Sequence, residues 1–424
     1  MTGRNERSNS GLLSRLPFYA FLALISSLGF IQLGLPVFGR NVVLTDGLFL
    51  LTGGLLGVAV LLRQIRLRSH AFFWTVFGYL IALGVSTIFS ADRTQSLKIF
   101  PVEIYLACLS YIAFNLINDA GRLKTVVLAW LAGTLLAVAF GIFSVALFYI
   151  DRGSFLLEYL TYHYGAVPVG DFPRITATFA SASMFCNYLN VALILTILAL
   201  QQKLFPSAFG YALIVGILLC SAFTVSIGLG GILLALGLVS VVVLRHYDIK
   251  ARALAISGVA AALLFVIVSV FALSYYPDSE VWATVFDIKL MPSSRFFVWR
   301  DALQTFLQHS ITGIGLGLPV ANTVVTNTDG SKSLLTDAHN SYLNVAAQNG
   351  LLGLAAIIAI TMYLLRRWIS VIKGALDAPF TRGIGLAFFC SFVYQGLTGS
   401  FEEARHLWVL MGMFVAAYRI ENEP

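Results

Sequence analysis

Four residues in this chain combine types and surroundings that can do chemistry together: Arg174, Arg295, Arg300 and His339. A guanidinium presents a planar fork of donors that grips a diphosphate bidentately, so arginines suit the binding of an anionic leaving group. His339 follows Thr336 and Asp337, either of which is a good helix N-cap. That places the histidine in the first turn of an apolar helix, a position suited to a neutral imidazole that accepts a proton. Arginines from separate segments meeting one imidazole would serve displacement of a phosphate leaving group by a hydroxyl.

Each residue also has a structural reading. Arg174 opens Phe172-Pro-Arg174-Ile-Thr176-Ala-Thr178, with Ser181 and Ser183 beyond. Either small residues pack helices closely while the arginine snorkels to the interface, or Arg174 holds an anion in a cavity lined by Thr176 and Thr178. Arg295 and Arg300 sit in an amphipathic helical pattern whose apolar stripe is Phe296, Trp299, Leu303 and Phe306. Arg295 and Trp299 share a face and can form a cation–π pair, whereas Arg300 lies well round the helix. The plain alternative is an interfacial helix with basic residues among lipid headgroups. For His339 it is a capping or anchoring role, with Asn340, Tyr342, Asn344 and Gln348 continuing a polar stripe before Gly350-Leu-Leu-Gly353. The turn Gly313-Ile-Gly-Leu-Gly317 lacks the strand and helix of a nucleotide loop and reads as a chain reversal.

The elements that must position these residues are membrane spans. The chain is 58% hydrophobic and only 11% charged, against about a quarter charged in soluble domains. A span needs about 20 apolar residues to cross about 30 Å of hydrocarbon. About twelve such segments are expected, at 17–36, 42–62, 71–90, 97–117, 122–149, 175–200, 207–224, 227–244, 253–274, 340–365, 383–400 and 405–420. The fold class is therefore an all-α polytopic membrane protein. Spans one to nine occupy 1–274, with a smaller polar loop at 150–174; a large, partly helical polar loop fills 275–338; and spans ten to twelve occupy 339–424.

Basic clusters such as Arg63, Arg66 and Arg68, or Arg366, Arg367 and Lys373, fall on one side of this topology. By the positive-inside rule that side is cytoplasmic, together with both termini. The formal charge of +7 then reflects topology and contact with anionic lipid, not a nucleic-acid partner. The basic start (Arg4, Arg7, Arg15) before an apolar run without a small-residue cleavage site reads as a signal anchor. Cys108, Cys186, Cys220 and Cys390 lie unpaired in apolar runs, so neither a disulfide framework nor a metal cluster is expected. Without an H-E-x-x-H pattern, metal-independent chemistry is expected. A transporter or lipid-linked oligosaccharide flippase is the non-enzymatic alternative, but it should show internal repeats and mid-membrane charges, and Glu103 is the one carboxylate placed well inside a span.

In order along the chain, Arg174 before a Thr/Ser-rich turn, Ser294-Arg295-x-x-x-Trp299, Gly313-Ile-Gly-Leu-Gly317 and His339-Asn340 leading to Gly350-Leu-Leu-Gly353 resemble the O-antigen ligase/polymerase superfamily of bacterial membrane glycosyltransferases. The resemblance implies a GT-C-like fold, no cofactor, and membrane lipids as surroundings. It implies transfer of a glycan from an undecaprenyl-pyrophosphate carrier to lipid A–core, at the periplasmic face of the bacterial inner membrane. It assigns His339 as general base and Arg174, Arg295 and Arg300 to the pyrophosphate, with Thr176, Thr178, Asn340, Tyr342 and Arg405 lining the substrate. O-antigen polymerase and protein O-oligosaccharyltransferase are the neighbouring activities. One departure stands out: many members carry Ser-Arg-Gly after a threonine near the seventh span, where this chain has Thr224-Val-Ser226-Ile-Gly228. Arg300 or Arg405 is the expected replacement for that arginine.

Overall fold

The computed structural model describes residues 11, 13–30, 34–37, 40–163, 173–224, 283–285, 288–290, 295–326, 332–373, 378–398 and 404–422. The expected spans at 227–244 and 253–274, the arginines at 4 and 7, the segment after Thr224 and the side chain of Arg295 lie outside that description.

The chain is a multi-pass helical membrane protein. Its helices are α1 (Leu16–Ser27), α2 (Leu44–Leu61), α3 (Phe72–Ile88), α4 (Arg93–Leu116), α5 (Ala120–Ile150), the single turn α6 (Leu157–Leu160), α7 (Ala182–Gln201), α8 (Ser207–Phe223), α9 (Arg295–Gln308), α10 (Ser341–Lys373), α11 (Pro379–Thr398) and α12 (Arg405–Asn422). Among the described residues, five (α2, α4, α5, α7 and α10) are long and apolar enough to cross a membrane. Local chemistry sets several starts. Asp92 accepts from Gln95 N at 3.0 Å, Asp119 from Arg122 N at 2.8 Å and Ser181 from Met184 N at 3.2 Å, each satisfying a donor at a helix N-terminus.

The core is continuous across the bundle, with Trp130 stacked on Tyr188 at 5.8 Å and Trp408 fully buried. Outward-facing residues are as apolar as the core: Leu61, Trp74 and Ile150 are each more than 70% exposed. Water would penalise such a surface, whereas lipid favours it.

Among the described residues, four two-stranded antiparallel hairpins depart from an all-α description: β1 (Gly34–Val37) with β2 (Arg40–Val43), β3 (Thr161–His163) with β4 (Pro173–Ile175), β5 (Ala283–Val285) with β6 (Ile288–Leu290), and β7 (Thr323–Thr326) with β8 (Lys332–Leu335). In chain order β1–β2 lies between α1 and α2, β3–β4 between α6 and α7, and β7–β8 between α9 and α10. Hairpin edges need water or protein partners, so hairpins form where the chain leaves the hydrocarbon. Two expected spans are shortened for this reason. The first helix stops at Ser27 before β1, and the sixth expected span begins at Ala182 because Pro173–Ile175 is a strand.

The tenth expected span is broken. Gly350 sits at φ +63° within α10, separating a short N-terminal segment from the long apolar one. The break leaves carbonyls without helical donors. The glycine turn supplies them, as Ile314 N donates to Ala347 O at 3.0 Å and Gly315 N to Gln348 O at 2.9 Å. In return Leu351 N donates to Ser310 O at 2.8 Å, and Ser86 Oγ from α3 also donates to Gln348 O at 2.8 Å. The contact admits no side chain on either strand of the chain: a Cβ on Gly313 would run into the Gln348 backbone, and one on Gly350 into the Ile311 carbonyl. The amides at 314 and 315 thus hold protein carbonyls, which fits the chain-reversal reading.

Gly350→Ala forces a left-handed backbone and a backbone clash together, and is expected to destabilise the fold by about 1–3 kcal/mol. A thermal melt of the purified protein in detergent checks this; an unchanged midpoint would mean the break is not structurally required.

Candidate active site

His339 lies two residues before α10, not inside its first turn. The helix is capped by Asn340, whose Oδ1 accepts from Tyr342 N and Leu343 N at 3.1 Å each. His339 itself takes the left-handed conformation, φ +47°, and its ring stands at the surface with the side chain 47% exposed. Asp337, the alternative cap, does a different task. Its Oδ1 accepts from His339 N at 2.5 Å and lies 3.5 Å from His339 Nδ1, while its Oδ2 accepts from Asn344 Nδ2 at 2.6 Å. Asn344 Oδ1 closes the loop by accepting from Ala338 N at 3.0 Å.

The other polar residues of this stripe bind protein. Tyr342 donates its hydroxyl to Phe392 O at 3.2 Å, and Gln348 donates to Leu318 O at 3.0 Å. Ser341 donates to Gln395 O at 3.1 Å, tying the start of α10 to the end of α11.

Helix α9 docks against this loop through a small second core of Val298, Ala302, Val320, Ala321, Ala338 and Ala347. Trp299 Nε1 donates to Ala338 O at 2.8 Å, the carbonyl next to His339. Val298 and Ala302 are fully buried while Leu303 is 46% exposed, so the buried stripe is turned relative to the expected one. Arg295 occupies the first residue of α9, on the same helical face as Trp299. Arg300 points elsewhere: its side chain is 55% exposed, 3.7 Å from Asp301 and over the Phe297 ring.

Arg174 reaches the same end of the bundle on β4, paired with Tyr162 across the hairpin. Its Nε donates to Thr224 O at 2.9 Å, at the end of α8. Thr176 and Thr178 are buried between β4 and α7, and Thr178 Oγ1 donates to the Gly29 carbonyl. Arg174 lies beside Cys186, which contacts Thr224 and Tyr394, and Tyr394 is next to Gln395, where Ser341 attaches. Arg174, Arg295 and His339 thus share one end of the bundle, with Arg295 and His339 on elements in direct contact. Arg405 sits at that end too, in an ion pair: Nε is 3.1 Å from both Asp46 Oδ1 and the Tyr105 hydroxyl. Among the described residues no group of three or more His, Cys, Asp or Glu could hold a metal ion.

Residues 226–358 match a protein-family model described as O-antigen ligase. The match covers a little under a third of the chain, and over that stretch the chain is similar to the O-antigen ligase family. No curated protein matches the chain. The matched stretch contains Arg295, Trp299, Arg300, the glycine turn, His339 and Gly350, and leaves Arg174 and Arg405 outside.

Two features of this site are not evident from the sequence. Asp337 was legible only as a cap, because its contact with the imidazole depends on the turn at His339. His406 looked solitary but is buried, with Nε2 3.2 Å from Asn187 Nδ2 and 3.1 Å from Ser391 Oγ. Asn187 also donates to Gln395 at 2.7 Å, making a polar knot of α7, α11 and α12. The signal available beforehand was the recurrence of Asn, Ser and Gln inside apolar spans, which membrane helices use to bind one another.

The Arg405–Asp46 pair predicts a stability effect. Arg405→Ala leaves a half-buried carboxylate without its partner and should cost about 1–3 kcal/mol. Combining it with Asp46→Ala should cost less than the sum of the two single changes, measured by melting in detergent. Full additivity would show that the pair does not couple.

Proposed function

We propose that this protein is an O-antigen ligase, transferring a glycan from undecaprenyl pyrophosphate to a sugar hydroxyl of lipid A–core at the periplasmic face of the inner membrane, with both termini cytoplasmic. One observation carries the reading: the family match contains both Arg295 and His339, on elements joined by the Trp299–Ala338 hydrogen bond. The gathering of Arg174 at the same end of the bundle supports it further.

The acceptor hydroxyl oxygen attacks the anomeric carbon as the bond to the diphosphate oxygen breaks, and the configuration inverts. His339 takes the hydroxyl proton as general base, which its exposed ring can reach. Arg295 and Arg174 neutralise the departing diphosphate, whose negative charge grows as the bond lengthens. Arg300, exposed beside Phe297, meets the glycan or the headgroup layer near the diphosphate. Asn340 fixes the turn that presents His339, and Thr176 and Thr178 shape the floor beneath Arg174. Tyr342 and Arg405 border the site through their contacts with Phe392 and Asp46. The carrier is already activated, so the step needs no nucleotide sugar, ATP or metal.

Purified protein with lipid-linked glycan and lipid A–core, in the presence of EDTA, tests this directly. Wild type is expected to transfer and His339→Ala to lose transfer by at least about 100-fold, the contribution of a positioned base. Arg295→Lys keeps the charge but loses the fork and should be severely impaired. Wild-type rates in His339→Ala would remove the base. Joining of two carrier-linked repeats, without transfer to lipid A–core, would identify a polymerase.

A further inference from the structure

We infer that Asp337 is a positioning residue for His339, locking the imidazole so that Nδ1 carries the proton and Nε2 faces the acceptor hydroxyl. The inference rests on the reading of His339 as general base and deepens it.

The geometry has three parts. First, Asp337 Oδ1 lies 3.5 Å from His339 Nδ1, within ion-pair distance, and active-site contacts tighten when substrate binds. Second, the carboxylate is held from behind. Its Oδ2 accepts from Asn344 Nδ2 at 2.6 Å, and Asn344 is rooted in the buried face of α10 with its Oδ1 on Ala338 N at 3.0 Å. Third, the histidine backbone is held by the same carboxylate oxygen, Asp337 Oδ1 on His339 N at 2.5 Å, and by Trp299 on the neighbouring Ala338 carbonyl at 2.8 Å. With the backbone held in its left-handed turn and the carboxylate anchored, the ring has one preferred arrangement. A carboxylate accepts only, so the nitrogen facing it must be N–H, and the other nitrogen carries the lone pair. As His339 takes the acceptor proton at Nε2 it becomes an imidazolium beside a carboxylate, which stabilises the charge formed in the step. The proton is retained on His339 until solvent removes it after the undecaprenyl pyrophosphate leaves.

The test compares Asp337→Asn, Asp337→Glu, Asn344→Ala and His339→Ala as full-length purified proteins, each checked by thermal melt, in the transfer assay. Asp337→Asn is expected to lower kcat about 10- to 100-fold, part of the gain a positioned base supplies, with the donor KM unchanged. Asp337→Glu restores part of that loss because it restores the carboxylate. Asn344→Ala, which frees Asp337 Oδ2, lowers kcat in the same direction by less, and carries the test if Asp337→Asn fails to fold. An Asp337→Asn protein with wild-type kcat, or one whose loss lies wholly in KM or is not relieved by glutamate, overturns the inference. If His339→Ala itself transfers normally, the general-base reading has failed instead, a result distinct from an inactive His339→Ala beside a normal Asp337→Asn.

Discussion

A helix in hydrocarbon must satisfy its backbone internally, and α10 does not. At Gly350 the carbonyls of Ala347 and Gln348 lose their helical donors and take the amides of Ile314 and Gly315 instead. This exchange is the constraint on which the rest of the site depends. It brings the end of the polar loop against the start of α10, and Ser86 of α3 draws in the bundle beneath. Such a break is tolerable only where protein groups replace the missing partners. The two glycine motifs, 35 residues apart between Gly315 and Gly350, are therefore the two halves of one contact.

Once α10 is seated this way, the nine residues from Ser341 to Asn349 form a short platform above the long apolar segment. Alanines at 338 and 347 face Val298 and Ala302 of α9, and their small side chains let the helix come close enough for Trp299 to reach a backbone carbonyl. Asn340 caps the platform, and most of its polar residues hold it: Tyr342 and Ser341 bind α11, Gln348 binds the loop, and Asn344 holds Asp337. His339 is the exception, with its ring turned outward. A rigid support around one exposed titratable group is what a catalytic imidazole requires, since misplacement by an ångström costs rate.

Much of this was legible from residue order. The helical, apolar character of the described spans and the helix at α9 follow from composition and periodicity, which act locally. The identity of the cap was not legible: Thr336 and Asp337 are the expected caps, but the chain turns through a positive φ at His339 and Asn340 takes the role. Nor was the strand at Arg174. Its short pairing with Thr161–His163 joins chain segments about ten residues apart, and a Thr/Ser-rich run after proline is compatible with either a helix start or a hairpin.

By itself the sequence determined that the chain is a helical membrane protein with a few polar and charged residues set among apolar segments, because hydrophobicity and charge are properties of each segment alone. Tertiary structure decided which of those residues meet. It placed Arg405 against Asp46, His406 against Asn187 and Ser391, and Asp337 beside His339. Arg405 and Asp46 are 359 residues apart and His406 and Asn187 are 219 apart, whereas His406 and Ser391 are 15 apart and a tight turn makes Asp337 and His339 neighbours. The physical reason is that a desolvated polar group must find a partner in space, and packing of the spans determines which one is within reach.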